Sequence, residues 1–174
     1  MNKITTIVLM GVCGSGKSVI GEKLAQMLGF SFVEGDNFHP AANIQRMEAG
    51  TPLTDQDRKQ WLETLRDQIA RAREQQQPMV LSCSALKRKY RQLLQSGDPT
   101  LLFIHLHGKR ELIETRMQAR ADHFMPTTLL DSQLADLEPP AADEPAITID
   151  IDQPVEQLLQ SLLQQLAQTR SCHD

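Results

Sequence analysis

Gly11-Val12-Cys13-Gly14-Ser15-Gly16-Lys17-Ser18 is the stretch from which the rest of the chain is read. Its spacing, G-x-x-x-x-G-K-[ST], is that of a loop that cradles phosphates. The run before it, Ile4-Thr5-Thr6-Ile7-Val8-Leu9-Met10, is apolar and β-branched and predicts a buried strand. Behind it, Val19, Ile20, Leu24, Met27 and Leu28 recur at helical spacing. The loop thus lies between a strand's end and a helix's start, where its mechanism requires it. Glycines let the backbone wrap closely enough for successive N–H groups to point at phosphate oxygens. The helix N-terminus adds roughly half a positive charge. Lys17 supplies a full charge for the β- and γ-phosphates, and the Ser18 hydroxyl is a ligand for Mg²⁺. The stretch specifies a nucleoside-triphosphate site.

With 174 residues the chain has room for one domain, 1–174, with a sizeable core. Hydrophobic residues at 40% and charged residues at 23% place it with soluble globular proteins. A net charge of −4 argues against a nucleic-acid surface, and one Trp and one Tyr make no stacking platform. No apolar run has the length of a membrane span, and the N-terminal residues lack signal-peptide order. Cys13, Cys83 and Cys172 show neither paired nor metal-ligand spacing, so reduced thiols in a cytoplasmic protein are expected.

Further along, Phe30 to Glu34 alternates as a strand and runs into Gly35-Asp36-Asn37-Phe38-His39-Pro40. Asp36 and His39 then stand beyond a strand's C-terminal end, the edge at which open α/β sheets bind ligands. A helix over Ala41–Glu48 precedes a longer one, N-capped at Thr54 and running to about Glu74. Met79–Cys83 predicts a third strand, with Ser84 as N-cap of the helix behind it. Leu101–Leu106 predicts a fourth strand, followed by a basic helix over Lys109–Arg120. Ala121–Pro126 interrupts it before a helix to about Leu137. Ala146–Ile151 is a fifth strand and Val155–Ala167 a closing helix. Strands alternating with helices imply a parallel sheet covered on both faces.

The reaction is narrowed by what the sequence lacks. There is no N-K-x-D motif to read guanine, and no Asp ends the third strand as in motor ATPases. Small-molecule phosphoryl transfer remains, which needs charge neutralisation, an in-line acceptor and a base. Asp36 is the candidate base, although an Asx-turn ahead of the Ala41 helix would use an aspartate equally well. Arg116 and Arg120, four apart, share a helix face that is either solvated or turned to the nucleotide as part of a lid. His39 and His123 each read as turn residue or ligand, and His105, on an apolar strand, as a core histidine. Lys87 is placed to reach the ligand edge.

The chain resembles the gluconokinases, ATP-dependent kinases of the nucleoside-monophosphate-kinase-like P-loop group. The resemblance rests on G-V-C-G-S-G-K-S at 11–18, E-G-D-N-F-H-P at 34–40 and N-I-Q-R-M-E-A-G-T-P-L-T-D-Q-D-R at 43–58. C-S-A-L-K-R-K-Y-R at 83–91, R-A-D-H-F-M-P at 120–126 and D-I-D-Q-P at 150–154 complete it. It implies a three-layer P-loop fold with a five-stranded parallel sheet of order 2-3-1-4-5 and a helical lid over about 116–137. It further implies phosphorylation of D-gluconate at its 6-hydroxyl by ATP with Mg²⁺, and a homodimer. Carried over by position, Lys17, Asp36 and Arg120 are catalytic. Asp36, His39, Arg58, Lys87 and His123 line the sugar-acid side, and Arg116 and Arg120 stand on the lid side near the phosphates. Gln153 lies in a turn that holds adenine. Arg46 stands where the family often has Lys, and Asp122 where the lid motif often has Gly. The runner-up is a P-loop kinase for another small hydroxylated acid such as shikimate; a non-catalytic ATP-binding module is a further alternative.

Overall fold

A computed structural model describes residues 4–120, 126 and 128–171, at 170 and 171 for the backbone alone. Five strands form one parallel sheet: β1 (Thr6–Met10), β2 (Ser31–Glu34), β3 (Met79–Ser82), β4 (Leu102–His107) and β5 (Ala146–Asp150). Their order is β2-β3-β1-β4-β5, as the resemblance implied. The helices are α1 (Lys17–Leu28), α2 (Ala41–Glu48), α3 (Asp55–Glu74), α4 (Arg88–Gln95), α5 (Arg110–Gln118), α6 (Thr128–Asp136) and α7 (Val155–Ser171). Among the described residues, no helix is long and apolar enough to cross a membrane.

β1 is buried on both faces because its residues alternate between two cores. Ile7 and Leu9 pack with Ile20 and Leu24 of α1 and Leu158 and Leu162 of α7. Val8 and Met10 pack with Trp61, Leu65 and Ile69 of α3 and Leu94 of α4. A third, small cluster joins Met47 of α2, Leu53 and Leu129 of α6. Helix ends follow their sequence signals. Gly29 closes α1 at φ 69°, and Thr54 with Asp57 forms a capping box at the start of α3.

Two expectations are corrected. Ser84 does not cap α4, which begins at Arg88 after Lys87. Ala85 takes φ 45°, and the Arg91 guanidinium donates to the Ala85 and Leu86 carbonyls at 3.0 and 3.1 Å. These bonds hold the stretch in a non-helical path. The basic helix also ends early. α5 stops at Gln118, so Arg120 lies beyond it and shares no helix face with Arg116.

Gly35 has a packing role that its sequence context did not disclose. A Cβ there would lie 2.1 Å from the Ser82 carbonyl oxygen, because the 3-10 turn Gly35–Phe38 sits directly on β3. Its own carbonyl accepts the Trp61 indole N–H at 2.8 Å. Gly35→Ala is therefore expected to destabilise the fold by about 1–3 kcal/mol through overpacking, read as a lower midpoint in urea denaturation. An unchanged midpoint would contradict this packing.

Candidate active site

The parallel sheet sends β1, β2 and β3 toward one edge, and the segments leaving them wall a cleft. From the phosphate loop come Cys13, Gly14, Gly16, Lys17 and Ser18, and from beyond β2 come Asp36 and His39. Ser82 and Ser84 lie between these groups. Arg58 and Trp61 of α3 join them, with Arg120 from beyond α5 and Gln133 from α6.

The loop is shaped for an anion. Gly16 adopts φ 95° immediately before α1, a conformation that frees the first N–H groups of the helix from their own chain. The Lys17 ammonium rests on the Val12 carbonyl at 2.9 Å. Ser18 Oγ donates to the Glu34 carboxylate at the end of β2. Hydroxyl and carboxylate are hard oxygen donors of the kind Mg²⁺ takes. Among the described residues no group of three His, Cys, Asp or Glu could cage a metal, so an ion here would depend on substrate phosphates. The Cys13 N–H is taken by Gln133 Oε1 at 2.7 Å, which ties α6 to the loop. Burial raises the Cys13 thiol and pushes Cys83 up to about 12, so neither is a thiolate nucleophile at neutral pH.

Opposite the loop, the His39 ring stacks on Trp61 with centroids 4.0 Å apart and planes 17° from parallel. The His39 side chain is 4% exposed, and its Nε2 stands 3.8 Å from Asp36 Oδ1, whose side chain is 43% exposed. Burial, with a lesser contribution from Arg58, lowers the His39 pKa to about 4, so the ring is neutral at physiological pH. Arg58 is buried, and its Nη1 donates to Tyr90 Oη at 3.0 Å and to Asp136 of α6 at 3.1 Å.

The expected site residues do not all converge. Lys17, Ser18, Asp36, His39, Arg58 and Arg120 meet at the cleft, with Cys13, Gly14 and Gly16. Lys87 stands outside it, donating to Asp55 at 3.0 Å. Asp55 also binds Lys89 and the Tyr90 hydroxyl; these bonds, with the one to Lys87, hold its carboxyl well below the usual range. Arg116 donates to the Ile151 carbonyl at 2.9 Å, beside the Asp152–Gln153 turn. Gln153 is turned onto its own loop, donating to the Asp150 carbonyl at 2.6 Å. Arg46 is a surface residue, paired with Asp57 at 3.1 Å. His123 and Asp122 lie outside the described residues. Residues not anticipated include Trp61, Gln133, Glu34 and Asn43. A lone tryptophan on a helix's apolar face reads as core from sequence, and Gln133 carries no spacing signal.

His105 of β4 is buried in the sheet, with its ring edge-on to His107 at 5.8 Å. Its pKa is lowered to about 4 by burial, with His107 and Arg91 adding to the effect.

Comparison with known proteins places this geometry in a lineage. Residues 7–140 match the family model described as "AAA domain". A probable gluconokinase of Xenopus tropicalis is 46% identical over 86% of this chain and 86% of its own. The thermosensitive gluconokinase of Escherichia coli (strain K12) is 45% identical over 96% of this chain and 91% of its own. The crystal structure of a gluconokinase from Sinorhizobium meliloti 1021 superposes with a TM-score of 0.86 at 42% identity, covering 96% of this chain and 95% of that one.

In the unfolded chain both His39 and His105 titrate near 6.5, against about 4 when folded. Between those values the unfolded state binds protons that the folded state refuses, so stability is whole at neutrality and falls as pH drops through the window. The expected loss between pH 7 and 5 is about 2 kcal/mol per histidine, measured as unfolding free energies in urea. Equal values at the two pH would contradict the assignment.

Proposed function

The chain belongs to the gluconokinase family, and on that premise we propose that ATP in the phosphate-loop cleft gives its γ-phosphoryl group to the 6-hydroxyl of D-gluconate, yielding 6-phospho-D-gluconate and ADP. The observation that carries the reading is the meeting of Lys17, Ser18 and Asp36 at one cleft, the loop on one wall and the aspartate on another.

Phosphoryl transfer is mostly positioning and charge stabilisation. Gly11, Val12, Cys13, Gly14, Ser15 and Gly16 shape the loop that holds the phosphates. Lys17 neutralises the β- and γ-oxygens, and Arg120 faces the same region from the lid side. Ser18, with Glu34 behind it, would hold Mg²⁺, which would supply neutralisation of the charge developing on the phosphates. Asp36 orients the 6-hydroxyl and accepts its proton. His39 and Arg58 line the acceptor side, where a guanidinium suits a carboxylate. The resemblance assigns Lys87 and His123 there too. Lys87 would have to leave Asp55 to reach the acceptor. Arg116 and Gln153 border the adenine end, the turn at 152–153 offering its backbone.

The same reading takes 1–174 as one kinase domain with a lid over about 116–137, working as a cytoplasmic homodimer on small molecules rather than nucleic acid or membrane. The dimer is supported by family resemblance and the compartment by cysteines without paired or metal-ligand spacing, and the negative net charge of −4 agrees with small-molecule partners.

The function is tested by supplying purified protein and Mg-ATP with a panel of sugar acids, shikimate and nucleoside monophosphates while following ADP release. ADP release dependent on gluconate is expected, and its absence would overturn the proposal. Asp36→Asn is expected to lower kcat by about 10²–10⁴, the range for a lost general base, with ATP affinity nearly intact by calorimetry. Unchanged turnover would remove Asp36 from its role.

A further inference from the structure

Asn43 of α2 is buried, and its amide nitrogen has two partners. It donates to the Asp57 main-chain carbonyl at 2.8 Å and stands 3.4 Å from His39 Nδ1. The carbonyl fixes which end of the amide faces inward. With the amide turned over, Oδ1 would meet the Asp57 oxygen, two acceptors at hydrogen-bond distance with no proton between them. The nitrogen therefore faces His39. An amide nitrogen only donates, so Nδ1 must accept, and a neutral imidazole with Nδ1 as acceptor carries its proton on Nε2. Nε2 is the atom turned toward Asp36 Oδ1.

We propose that Asn43 is a positioning residue that locks His39 in the Nε2–H tautomer, so that the ring presents a donor to Asp36 and holds its carboxylate aimed at the acceptor hydroxyl. The proposal rests on Asp36 being the base. Asp36 needs such a tether because its side chain is half in solvent, whereas the His39 ring is stacked on Trp61 and cannot swing away. The charged groups facing the ring are Asp36 from its own turn and Arg58 from α3. Asn43 and Trp61, which pack on it from α2 and α3, do not titrate. With the ring neutral, the 3.8 Å contact to Asp36 is no ion pair and works through the N–H alone. A small rotation of Asp36 closes it to a hydrogen bond that orients one carboxylate oxygen and leaves the other for the substrate.

Long-range ¹H–¹⁵N NMR of the whole protein at pH 7 tests this, with His39 assigned by the signal lost in His39→Gln. The expected spectrum shows a protonated Nε2 and an unprotonated Nδ1. A ring protonated on Nδ1, or on both nitrogens, would overturn the proposal. In Asn43→Ala, mixed tautomers are expected, with kcat reduced between about tenfold and a hundredfold, the scale of a misplaced reacting group, and KM for ATP within about twofold. Wild-type kcat in a folded Asn43→Ala protein would also overturn it. The wild-type spectrum decides the tautomer even if the variant does not fold. The two failures are separable: an Nδ1–H ring leaves Asp36 as base, whereas unchanged turnover in Asp36→Asn removes the base and leaves the tautomer as found.

Discussion

The cleft depends on β3 lying between β1 and β2. In the paired register Leu9 stands beside Ser82 and Ser82 beside Glu34, so the chain leaves the sheet at one level in all three strands. The loop behind β1 and the turn behind β2 are thereby held two strand spacings apart, about 10 Å. That gap is wide enough for a phosphoryl group to pass between a donor on one side and an acceptor on the other, and narrow enough to exclude bulk water once covered. The strand between them ends in Ser82, with Ser84 beyond it, and these short side chains leave the floor open. Gly35 keeps the arrangement tight by letting the Asp36 turn sit on the Ser82 carbonyl.

Helix α6 gathers the other parts. Gln133 holds the Cys13 N–H of the phosphate loop, Asp136 holds Arg58, and Leu129 packs with Met47 of α2. One short helix thus touches the donor wall, the acceptor wall and the segment that supports His39. Anything that bound the Cys13 N–H or the Arg58 guanidinium in place of these side chains would alter the seating of α6. Arg120, just beyond α5, also lines the cleft.

The strand–loop–helix unit and the five alternating strands could be read from the sequence because local signals there agree with tertiary demands. β1 is apolar from Ile7 to Met10 since both faces are buried, and the Thr54–Asp57 box and Gly29 mark helix ends by their own chemistry. Lys87 and Arg116 were harder to place, since a basic side chain near the ligand edge has no local feature that tells a substrate contact from an ion pair. Lys87 found Asp55 from α3, 32 residues away in sequence, and Arg116 found a carbonyl at the end of β5. The start of α4 was misplaced because Ala85 is bent by Arg91, a residue six positions later acting through backbone carbonyls. Asn43 and Gln133 look like ordinary polar helix residues until the fold brings a histidine ring and a loop amide against them.

The most direct measurement is the position of the phosphate in the product made from gluconate and ATP, followed by ³¹P and ¹³C NMR. The account predicts one phosphorus, coupled to C6 of gluconate and formed in step with ADP. Phosphate on another carbon, or ADP accumulating without a phosphorylated sugar acid, would contradict it.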